Sequence, residues 1–105
     1  MTITRFVREY RTQDTGALRA LLPVRDVRRQ VAIRNVISER ATHYNAAFDA
    51  AHLVLDVFGG SLAALMLEHA EASMRSTVGE QDYDGYEVAK AFADVLREHL
   101  AEQGT

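Results

Sequence analysis

Residues 24–58, VRDVRRQVAIRNVISERATHYNAAFDAAHLVLDVF, run without a Gly or a Pro. Apolar residues recur through the stretch at helical spacing, and the pattern changes phase within it. Val24, Val27 and Val31 mark one face. Ile33, Val36, Ile37, Tyr44, Ala47, Phe48, Ala51, Val54, Leu55 and Phe58 mark another, rotated by more than a third of a turn. One continuous helix here would be about 50 Å long at 1.5 Å per residue. Either it meets different neighbours at its two ends, or it breaks. The spacing favours a long central helix that bends or breaks near residues 38–42.

Shorter helices are predicted on both sides. Asp14 is placed to cap a helix over residues 15–22, with Leu18, Leu21 and Leu22 on one side and Pro23 as its stop. Gly59-Gly60 ends the central helix, and Ser61 can cap the next, which reaches about Ser76. Its opening residues, LAALML, are apolar all round and are expected to be the most buried segment. Glu71 and Arg75 form an i,i+4 pair on it. Residues 77–82 read as a loop broken at Gly79. Asp84 and Glu87 suggest a capping box for a last helix over 85–103. Its stripe is Tyr86, Ala89, Phe92, Ala93, Leu96 and Leu100. Residues 1–12 fit either a helix, through Ile3, Phe6, Val7 and Tyr10, or an extended strand. The expected fold is all-α: one domain over residues 1–105, a compact bundle of four to five helices.

Charge is distributed unevenly along this chain. Residues 1–40 hold nine Arg against four acids, and residues 41–105 hold eleven acids against three bases. The halves are therefore +5 and −8, within a net charge of −3. There is no cysteine, which excludes disulfides and thiolate metal sites. The N-terminus lacks the apolar core of a signal peptide, and the longest apolar run, residues 62–67, is too short to span a bilayer. A cytoplasmic protein is the expectation.

No motif for catalysis emerges. His52 and Asp56 are four apart with Asp49 beside them, but zinc needs three or four converging ligands, and no H-E-x-x-H occurs. Glu39 and His43 point elsewhere. No Glu-x-x-His pair supports a di-iron centre. There is no G-x-S-x-G elbow, and Gly59-Gly60-Ser61 lacks the rest of a phosphate loop. No catalytic residue, metal or cofactor is assigned.

Two charged pools and one lone charge remain. Arg25, Arg28, Arg29 and Arg34 form a basic surface for phosphates or for an acidic protein. It could equally pair with the chain's own acidic half. Glu80, Asp82, Asp84 and Glu87, interleaved with Tyr83 and Tyr86, form an acidic, aromatic surface suited to a basic partner. Arg40 falls on the apolar face beside Ile33, Val36 and Ile37. If buried it needs a carboxylate from another helix or subunit; otherwise its head group snorkels to solvent.

These features lead to a non-enzymatic protein-interaction module that blocks or modulates a larger, nucleic-acid-handling assembly by electrostatic docking. Phage and mobile-element inhibitors such as anti-CRISPR and anti-restriction proteins are of this class. The first alternative is a small nucleic-acid-associated regulator using the Arg-rich helix 24–40. The second is an enzyme with a carboxylate–His metal site. The apolar faces exceed what a few short helices need, which is compatible with a homodimer. No membrane association is expected.

Overall fold

A computed structural model describes residues 2–104. Among them are five helices and no strand: α1 Ile3–Tyr10, α2 Thr15–Ala20, α3 Val27–Phe58, α4 Ala63–Gly79 and α5 Tyr83–Gln103. The protein is an all-α bundle, with principal extents of 51 × 23 × 22 Å.

Its length is that of α3. This helix starts behind Asp26, whose carboxylate accepts from the Arg28 N–H, and runs 32 residues without interruption. Of the two expected forms, bent or broken near residues 38–42, the broken one is overturned, because the long helix is continuous. Two neighbours account for the phase change instead. On the first half, Ala32, Ile33 and Val36 bury Phe6 and Tyr10 of α1 and Leu18 of α2. On the second half, Ala47 and Ala51 are buried where α3 packs on α5. Val27 and Val31 belong to neither core and stay 69% and 36% exposed.

α1 is therefore helical, as the i, i+3, i+4, i+7 spacing allowed. α2 begins as read, with Asp14 accepting from the Ala17 N–H, and it closes at Ala20, ahead of Pro23. α4 differs most from expectation. It has no side-chain cap, it extends to Gly79, and its apolar start is not buried. Leu62 and Leu65 are 55% and 52% exposed, and only Ala63 of that segment is enclosed. The cause is the position of α5, which lies between α4 and α3. α5 is buried on two sides, through Ala89, Ala93 and Leu96 on one and Ala91 and Val95 on the other. It starts two residues earlier than the D-x-x-E reading, because Asp82 rather than Asp84 caps it, accepting from the Gly85 N–H.

The corner between α3 and α4 depends on its two glycines. Gly59 has φ 71° and ψ −174°, a region essentially restricted to glycine. At Gly60 a Cβ would overlap the His99 imidazole, so the end of α5 packs directly under the corner.

Candidate partner-binding surfaces

Arg40 is 1% exposed and holds the two charged halves of the chain together. Its Nε donates to Asp84 at 3.0 Å, one terminal nitrogen to the Thr15 hydroxyl at 3.2 Å, and the other to the Arg11 carbonyl at 3.0 Å. Arg11 donates to the other Asp84 oxygen at 2.7 Å and also reaches Glu39. The carboxylate partner for Arg40 thus comes from α5, 44 residues away.

That arrangement uses much of the acidic pool internally. Asp84 is shared by two guanidinium groups, and Asp82 caps α5. Tyr83 lies 5.5 Å from the Arg40 guanidinium, and a Glu87 oxygen is 3.5 Å from the Thr15 hydroxyl. Glu80 remains exposed, and Tyr86 is half-buried. The basic pool divides in the same way. Arg29 lies 4.3 Å over the Phe6 ring and donates to the Tyr10 hydroxyl at 2.9 Å, so it pins α1 to α3. Arg25, Arg28 and Arg34 are exposed.

A second polar cluster joins α3 to α5. The Tyr44 hydroxyl donates to Asp94 at 2.6 Å, and Lys90 donates to the same oxygen at 3.0 Å. Burial alone would push the Asp94 carboxyl up. The Tyr44 hydroxyl and the Lys90 ammonium outweigh it and hold the carboxyl below its ordinary value. The same hydrogen bonds raise both Tyr44 and Lys90.

Among the described residues no group of three or more His, Asp or Glu side chains could hold a metal ion. His52 instead packs edge-on against Phe48, with ring centroids 4.8 Å apart. Glu71 pairs with Arg97 of α5 at 3.1 Å rather than with Arg75. Among the described residues no helix is long and apolar enough to cross a membrane.

The surface that sequence reading did not foresee is apolar. Between α4 and α5 runs an open groove of about 540 Å³. It is lined by the small residues Ala70, Ser73, Gly85 and Ala89, by Met66, Val88 and Phe92, and by His69 and Thr77. Leu62 and Leu65 continue the Met66 side of α4 toward the corner by helical spacing. The signal in the sequence was the surplus in LAALML, more apolar faces than one helix can bury. Comparison with protein-family models, curated protein sequences and solved structures finds no match for this chain.

Proposed function

We propose that this chain is a non-enzymatic protein-interaction module that docks through the α4–α5 groove. The open apolar groove carries the proposal. Isolated exposed hydrophobic residues need no explanation, but an open, mostly apolar groove lined in part by small residues suits an apolar helix or segment of a partner. Glu80, exposed where α4 ends, adds a negative charge at the α4–α5 connection that favours a basic partner. In the finer form of this reading, the chain is a phage or mobile-element inhibitor of the anti-CRISPR or anti-restriction kind, and its docking blocks a larger assembly. The captured partner must then itself handle nucleic acid.

The test is affinity capture from bacterial lysate with and without nuclease, comparing the native chain with Ser73→Trp, which fills the groove. A discrete protein partner that survives nuclease and is lost with Ser73→Trp is the expected result. A partner retained by a folded Ser73→Trp chain contradicts docking in the groove. Arg25, Arg28 and Arg34, exposed near the start of α3, favour a second reading, phosphate contact. That reading requires recovered nucleic acid whose binding falls steeply with salt.

A further inference from the structure

The outward face of α3 is bare along its whole length. Positions 27, 31, 35, 38, 42, 46, 49, 53 and 57 are all exposed, and their spacing repeats as four, four and three. Eleven residues in three turns is close to the natural helical period, so these positions form one nearly straight stripe. Its ends are apolar. Val27 and Val31 are 69% and 36% exposed at one end, and Leu53 and Val57 are 63% and 66% exposed at the other. Its middle is built of small residues, Ser38, Thr42 and Ala46.

We propose that a second copy of this chain covers the stripe, with the two α3 helices antiparallel about a two-fold axis at Thr42. The register follows from the positions. Val27 meets Val57 of the other copy, Val31 meets Leu53, Asn35 meets Asp49, Ser38 meets Ala46, and Thr42 meets its own counterpart. Every large apolar residue finds a large apolar partner, and the small central residues let the helices approach closely. Charge selects the antiparallel arrangement. The first half of the stripe is flanked by Arg28 and Arg34, and the second contains Asp49 and is flanked by Asp56. A parallel pair would place like charges side by side, whereas the antiparallel pair sets Arg34 next to Asp49 twice.

The size of the exposed surface supports a partner of this kind. The chain exposes 6703 Å², whereas a folded monomer of 11.7 kDa is expected to expose about 5,900 Å². Its radius of gyration is 16.3 Å, against about 13 Å for a compact domain of this length. The surplus area is close to the roughly 800 Å² that each partner buries in a standard interface.

Sedimentation equilibrium and cysteine cross-linking test the arrangement. The chain has no native cysteine, so one introduced thiol is unique. The native chain should sediment at twice the monomer mass at about 100 μM, well above a micromolar dissociation constant. Leu53→Glu with Val57→Glu should give a folded monomer. Thr42→Cys should form a disulfide dimer on mild oxidation. Ser38→Cys should do so only when mixed with Ala46→Cys, because a disulfide needs Cα atoms within about 7 Å. A monomeric native chain, a dimer that survives the double Glu change, or cross-linking of Thr42→Cys no faster than of Ser38→Cys would each overturn the proposal. Leu53 and Val57 do not line the α4–α5 groove, so capture of a groove partner by the monomeric variant keeps the two proposals separable.

Discussion

Arg40 shows what a single buried charge costs and what it organises. Its guanidinium is satisfied by a carboxylate, a hydroxyl and a carbonyl from three other segments. Removing one partner leaves a cation stranded in the core. Asp84→Ala should therefore lower stability by about 3 kcal/mol, the low end for a broken buried pair because Asp84 is 27% exposed. Urea unfolding measures it. Charge reversal across the whole acidic pool would fail for the same reason, since Asp84 belongs to the core network. The place of Arg40 on an apolar stripe was legible, and so was its need for a carboxylate if buried; whether it was buried or snorkelled to solvent was not. Its partner was not, because nothing local links position 40 to position 84. Asp94 offers a pH test. Its folded pKa lies below the unfolded value, so its ionised form contributes stability above the ordinary carboxylate pKa of about 3.9. That contribution is lost as pH falls from there through the lowered value. In acid titration of stability, Asp94→Asn should show a shallower loss below about pH 4 than the native chain.

At the scale of elements, α3 and α4 show how far periodicity carries. Helix type and approximate ends were legible because Pro23, Gly59 and Gly79 punctuate the chain. The continuity of α3 was not, since a change of phase looks the same whether the helix breaks or exchanges neighbours. Burial of LAALML was misjudged because hydrophobicity says how much surface wants cover, not what arrives to cover it. α5 reached both α3 and α4 through small residues such as Ala91, which a stripe of large side chains does not reveal. The α3–α4 corner gives a prediction at this scale. Gly59→Ala forces a side chain into a glycine-only region and should cost about 1–3 kcal/mol, read as a lower Tm. On the other half, Phe6→Ala removes the ring between Arg29 and the α1–α3 core. It should cost about 3 kcal/mol in urea unfolding and raise hydrogen exchange in α1 first.

The whole molecule is a rod with a basic end and an acidic end. Part of that asymmetry is consumed where the halves meet, at Arg11, Arg40 and Asp84. Besides exposed charges such as Arg25, Arg34 and Glu80, apolar surface remains outside at the α4–α5 groove and on the outer face of α3. Sequence reading put the partner surfaces on the charged pools. The fold uses several of those charges as internal fasteners and leaves hydrophobic side chains to face outward. The outer face of α3 is, in the proposed dimer, an interface between two copies related at Thr42. Pulsed dipolar electron paramagnetic resonance on a nitroxide attached at Ala50→Cys, exposed on α3 but off the stripe, tests it without disturbing the contact. In this register the two labelled sites are offset by about 24 Å along helices packed about 8–10 Å apart, so one narrow inter-label distance of roughly 25–40 Å should appear, and it should vanish in the Leu53→Glu, Val57→Glu background. A native-background sample without dipolar coupling, or with a distance untouched by those two substitutions, would contradict it.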